Sequence, residues 1–97
     1  MDVRRTDEFA DWLKRLRDAD ARARINLRID RIEMTGNFGD AESVGDGVSE
    51  LKVDCGPGYR LYFAYRGKEV ILLLAGGDKS SQQRDIGKAR KLNEEYE

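Results

Sequence analysis

The chain contains no histidine and a single cysteine, Cys55. A Ser-His or Cys-His nucleophile pair, the usual zinc ligand sets and an internal disulfide are therefore excluded. Any chemistry must come from carboxylates, Lys, Arg, Tyr and backbone groups. Two segments concentrate such residues with period-two spacing. Ser49 to Asp54 sets Leu51 and Val53 against Glu50, Lys52 and Asp54; Tyr59 to Arg66 sets Tyr59, Leu61, Phe63 and Tyr65 against Arg60, Tyr62, Ala64 and Arg66. If the apolar sets share one core face, a loop from Asp54 to Gly58 pairs Val53 with Tyr59, Lys52 with Arg60 and Glu50 with Tyr62. Like charges directly opposite each other cost a few tenths to about 1 kcal/mol, so this pairing needs a compensating anion. Glu50, diagonal from Arg60, can supply it as a resting ion pair. The alternative is an oxyanion clamp for a phosphate, joined by Lys79 and Arg84 from the turn after Gly76-Gly77, where free N–H groups favour anions. A plain strand-to-helix turn accounts for those two glycines as well.

The elements that must position these residues are legible from periodicity. Thr6 is an N-cap with Asp7 and Glu8 in the first turn, and Phe9, Trp12, Leu13 and Leu16 form the buried stripe of a short helix. Asp18 or Asp20 caps a second helix with Ala21, Ile25, Ile29 and Ile32 inward and Gly36 as its stop. The two are expected to form an antiparallel hairpin. Arg24, Arg28 and Arg31 share one face of the second helix. That face is either solvated, with Asp20 and Asp30 as local partners, or a stripe that binds RNA or a protein. The glycine-bearing stretch from Gly36 to Gly47 is the one candidate linker. Glu69 to Ala75 is apolar on both faces, as expected of an interior strand ended by Gly76-Gly77. Ser80 to Gln83 has capping-box spacing before a last helix with Ile86, Ala89, Leu92 and Tyr96 inward. Val3 can add a short N-terminal strand. The expected fold is α+β, one domain over residues 1–97: two N-terminal helices on a small antiparallel sheet of about four strands, then a C-terminal helix.

At 97 residues the chain has room for one core. Its longest apolar run, Val70 to Ala75, is far short of the roughly twenty residues of a membrane span, and the N-terminus lacks a signal peptide's apolar stretch. A cytoplasmic protein with no membrane partner is expected. The 18 Lys plus Arg nearly balance 19 Asp plus Glu, so any basic site must be local. Residues 1–35 carry nine bases and eight acids, residues 36–58 one base and five acids, and residues 59–97 eight bases and six acids.

The order helix hairpin, Val48 to Val53, Gly56 to Phe63, then Leu72 to Ile86 containing Gly-Gly-Asp-Lys-Ser-Ser-Gln, resembles the RelE/ParE toxin superfamily. More narrowly, it is similar to the HigB-like addiction module killer protein branch. Phe9, Trp12, Leu13 and Leu16 match that branch's first helix, and Arg31, Gly36, Asn37, Gly39 and Asp40 its second helix and loop. The resemblance implies the toxin of a type II toxin–antitoxin pair. Its partner would be a helix-turn-helix antitoxin, through which alone it would reach operator DNA. It further implies an endoribonuclease that cleaves mRNA on the ribosome with no metal and no cofactor. Lys52, Arg60 and Lys79 match basic positions of the family; Glu50 falls where RelE has a lysine.

In that chemistry a deprotonated 2′-hydroxyl attacks the adjacent phosphate, leaving a cyclic phosphate and a 5′-hydroxyl. Arg60 and Lys52 suit the developing phosphate charge, Glu50 is a base, and Lys79 or Tyr62 an acid. Tyr62 and Arg84 would touch RNA. No tyrosine occurs just after Lys79, where several RelE-like members place one. The superfamily also contains ParE-like inhibitors of DNA gyrase that cut no RNA, and an inactive corepressor that only binds its antitoxin is a third reading. With so little net charge, the chain should hold naked RNA weakly and depend on the ribosome.

Overall fold

The computed structural model describes residues 1–96. In chain order the elements are β1 (Asp2–Arg5), α1 (Asp7–Arg15), α2 (Ala19–Thr35), β2 (Ala41–Gly45), β3 (Val48–Val53), β4 (Tyr59–Tyr65), β5 (Val70–Asp78), a 3₁₀ turn (Lys79–Ser81) and α3 (Gln82–Glu95). The helix boundaries follow local chemistry. Thr6 Oγ1 accepts the Phe9 N–H, Asp18 accepts the Ala21 N–H, and α2 stops where Gly36 turns left-handed at φ 71°. The last helix starts differently from the capping-box expectation. Asp78 accepts the N–H and hydroxyl of Ser80 and so caps the 3₁₀ turn, which holds the Asp78 carboxyl below the usual carboxylate range.

The sheet has five strands in the order β1-β5-β4-β3-β2. That is one more than expected, and the sheet is mixed, because the Val3 segment pairs parallel with β5 while all other pairs are antiparallel. The stretch read as a linker also changes: Ala41–Gly45 forms a hairpin with β3. The β3–β4 register is the one derived from burial, with Val53 opposite Tyr59, Lys52 opposite Arg60 and Glu50 opposite Tyr62.

Both faces of this sheet are covered. Phe9 and Leu13 of α1 and Ala21, Ile25, Ile29 and Ile32 of α2 pack with Leu51, Leu61, Phe63, Ile71 and Leu73. On the opposite face, Ile86 and Ala89 of α3 pack with Val48, Tyr62, Ala64, Leu72 and Leu74. Alternation along β4 and β5 therefore separates two cores rather than a core from water. The far end of α3 departs from the expected stripe, since Tyr96 is exposed.

β5 runs through Gly76-Gly77 instead of ending there. The two glycines face opposite layers, and each allows a close approach. The Trp12 ring lies on Gly76, and the Asp85 carboxylate lies on Gly77 with Ser81 Oγ beside it. A Cβ at Gly77 would overlap the buried Asp85 carboxylate, which is pinned by the Ser81 hydroxyl at 2.5 Å. Gly77→Ala is accordingly expected to destabilise the fold by about 1–3 kcal/mol, as overpacking does. Denaturant titration of this variant beside Gly77→Ala/Asp85→Ala checks it, because removing the carboxylate should recover part of the loss.

Candidate functional site

The hairpin register and one backbone bond assemble the site. Lys52 and Arg60 face each other across β3 and β4, and the Lys79 N–H donates to the Gly58 carbonyl at 3.0 Å, which ties the end of β5 to the β3–β4 loop. Gly56 and Gly58, at φ 55° and 83°, let that loop turn tightly. The result is a pocket of about 530 Å³ into which Lys52, Arg60, Lys79, Asp54 and the buried Tyr59 converge. Three cations in one concavity, against a single carboxylate from Asp54, make an anion site. The terminal nitrogens of Arg60 have no side-chain partner among the described residues, so they can take a phosphate in a two-pronged contact.

Arg60 is held from behind. Its Nε donates to Glu50 Oε1 at 3.2 Å, and Gln82 Nε2 of α3 donates to Glu50 Oε2 at 2.9 Å. Glu50 is 3% exposed, beneath α3. The expectation that Glu50 serves as a base is corrected by this geometry: both oxygens are engaged, and it does not line the pocket of Lys52, Arg60 and Lys79. The Glu50–Arg60 ion pair uses only Nε of the guanidinium, so it is compatible with an anion at the terminal nitrogens.

Tyr62 is corrected for the same reason. Opposite Glu50 in the register, it lies fully buried under α3, with no surface to present to RNA. Burial first, then the nearby charges of Glu50 and Asp85, push its hydroxyl well above the ordinary tyrosine range, and burial under α3 keeps that hydroxyl out of reach of a leaving oxygen in the Lys52 pocket. That hydroxyl has no hydrogen-bond partner among the described residues. Tyr62→Phe is expected to leave stability equal or up to about 1 kcal/mol higher, since an unpaired buried hydroxyl contributes nothing to the fold, and to retain full activity. Thermal melts and a growth-inhibition assay test both parts.

Arg84 is exposed, 3.9 Å from Asp85, and lies apart from the Lys52 pocket in a neighbouring depression that Lys79 shares. Trp12 packs against Phe9 and Tyr59, with ring centres 5.7 and 6.4 Å away, as a core residue. Two residues escaped the sequence reading. Asp54 lies one residue beyond β3 and continues the Glu50, Lys52 alternation in sequence, so period two could have nominated it as the pocket carboxylate. Gln82 carried no signal, because its partner is 32 positions away.

The mixed sheet between a helix pair and a single helix is a fold that this chain shares with solved structures. The structure matches a double-arginine mutant of E. coli toxin RelE in the free state, with a TM-score of 0.74 and 14% identity over 93% of this chain and 94% of that one. It also matches a chain of the intact E. coli RelBE toxin–antitoxin complex, with a TM-score of 0.65 and 14% identity over 79% of this chain and 94% of that one. The chain belongs to the family described as Phage derived protein Gp49-like (DUF891), which matches residues 11–96. An uncharacterized protein of Haemophilus influenzae is 45% identical over 93 residues, 96% of this chain and 93% of that protein.

Proposed function

We propose that this protein is the toxin of a type II toxin–antitoxin pair, of the HigB-like branch, and that it is a ribosome-dependent mRNA endoribonuclease. The observation that carries this reading is the convergence of Lys52, Arg60 and Lys79 on one pocket, with Arg60 braced by buried Glu50. The RelE-like fold supports it.

In the proposed reaction the scissile phosphate lies between Arg60 and Lys52. The 2′-oxygen loses its proton to Asp54, the carboxylate that lines the pocket, and attacks phosphorus. Charge on the two non-bridging oxygens grows as the bond forms, and the guanidinium and ammonium stabilise it. The P–O5′ bond breaks, and Lys79 gives the leaving oxygen its proton. The products are a 2′,3′-cyclic phosphate and a 5′-hydroxyl. Every step uses proton transfer and charge stabilisation by side chains, so the chemistry needs no metal or cofactor. A small pocket on a nearly neutral chain gives little grip on free RNA, so the ribosome presents the substrate, in the cytoplasm. The neutralising partner is a helix-turn-helix antitoxin, which also makes the only link to operator DNA.

Induced expression followed by primer extension on cellular mRNA tests the reading. Cuts phased to codons are expected. Intact mRNA with DNA damage would replace it with gyrase inhibition, and rapid cleavage of short free RNA would overturn the ribosome requirement.

A further inference from the structure

A second depression, of about 630 Å³, lies between α2 and β3 and shares Lys52 and Asp54 with the pocket above. Four cations line it, Arg24, Arg28, Arg31 and Lys52, against the carboxylates of Asp40 and Asp54. Arg28 is fixed in its wall, donating to the Phe38 carbonyl at 3.0 Å and the Lys52 carbonyl at 3.4 Å. Arg24 and Arg31 are exposed and form no ion pair or side-chain hydrogen bond among the described residues; Asp20 and Asp30, the local partners expected for this face, do not engage them.

The same face carries Leu27 and Met34, exposed by 67% and 84%. Arg24, Leu27, Arg31 and Met34 follow one another at intervals of three, four and three, which is the spacing of a seam along which a second helix packs. The two arginines are separated by about 10 Å along the axis, from the helical rise of 1.5 Å per residue. Acidic residues seven apart on a partner helix meet both, and an apolar residue between them covers Leu27. RNA fits less well. The groove is lined by no aromatic side chain on which bases could stack, and a phosphate chain gains nothing from Leu27 or Met34.

We infer that this groove and the adjoining face of α2 dock an acidic amphipathic helix of the antitoxin, which neutralises the toxin by covering Lys52 at the shared wall of the two pockets. The inference rests on the toxin reading and extends it to regulation. Neutralisation then works by occlusion and leaves α3 in place over Glu50.

The test is co-expression of the chain with the helix-turn-helix protein from the adjacent reading frame, using Arg24→Glu/Arg31→Glu, two exposed changes whose folding is checked by circular dichroism. The expected variant still arrests growth when expressed alone, escapes rescue by the partner, and binds it at least tenfold more weakly in titration calorimetry. Amide hydrogen exchange of the wild-type complex should show slowed exchange over residues 24–34 and at Lys52. A toxic variant that is still rescued, or protection confined to α3 or the β2 edge, overturns the docking site alone. Loss of toxicity in the folded variant overturns it in favour of RNA or ribosome contact. A wild-type chain that arrests no growth overturns the toxin reading itself.

Discussion

Arg60→Ala is expected to lower mRNA cleavage by about 10²–10³-fold, the usual cost of removing one preorganised donor from a developing oxyanion. Growth arrest should disappear with it. Among the described residues, Arg60 is the only pocket cation whose direction is set by a buried partner, Glu50, itself held by Gln82. Its terminal nitrogens are therefore aimed before substrate arrives, whereas Lys52 and Lys79 are exposed and free to swing. Removing the guanidinium also leaves Glu50 buried with one donor, so part of any loss could be unfolding. Arg60→Lys separates the two effects. It keeps a charge for Glu50 but has no planar fork, and it is expected to remain folded while cleaving at least about tenfold more slowly. Primer extension on mRNA together with circular dichroism reads both. A folded Arg60→Ala that cuts at the wild-type rate would remove the clamp from the mechanism.

Glu50→Ala is expected to cost about 3–5 kcal/mol, which for a domain of this size lowers the melting temperature by more than about 10 °C. Glu50 is 3% and Arg60 12% exposed at the side chain, so the charge left behind is poorly hydrated. Gln82 loses its acceptor at the same time. Glu50→Gln keeps an acceptor for either donor and should cost clearly less. The double variant Glu50→Ala/Arg60→Ala should be more stable than the sum of the single losses predicts, because it leaves neither charge stranded. Calorimetric melts of the four proteins close the cycle. A Glu50→Ala melting point within a few degrees of wild type would show that this pair does not brace the site.

Much of the architecture was legible locally. Thr6, Asp18 and Gly36 bound the helices because caps and stops depend on a few neighbouring backbone groups. The Lys52–Arg60 pairing was readable because a one-residue slip would have turned Leu51, Val53, Tyr59 and Leu61 toward the wrong face. The Val3 strand was visible as a possibility, but its parallel partner is about 68 residues away and leaves no short-range mark. Asp78, rather than Ser80, opens the last turn because β5 carries straight through two glycines, and it can do so only where Trp12 and Asp85 need the room.

Residue order alone fixed which side chains share a strand face, and with that the pairing of two of the pocket cations, Lys52 and Arg60, because a strand's alternation is a property of the backbone itself. The folded arrangement decided which of those faces meets water. Glu50, Lys52 and Tyr62 belong to two strands of one hairpin, and Asp54 follows directly on the first of them, yet α3 buries Glu50 and Tyr62 and leaves Lys52 and Asp54 open. Period two distinguishes one face from the other but carries no information about a helix that arrives some thirty residues later. That helix turns Glu50 from a prospective base into the brace of Arg60, and it leaves Asp54, beyond its reach, as the carboxylate in the pocket of Lys52, Arg60 and Lys79.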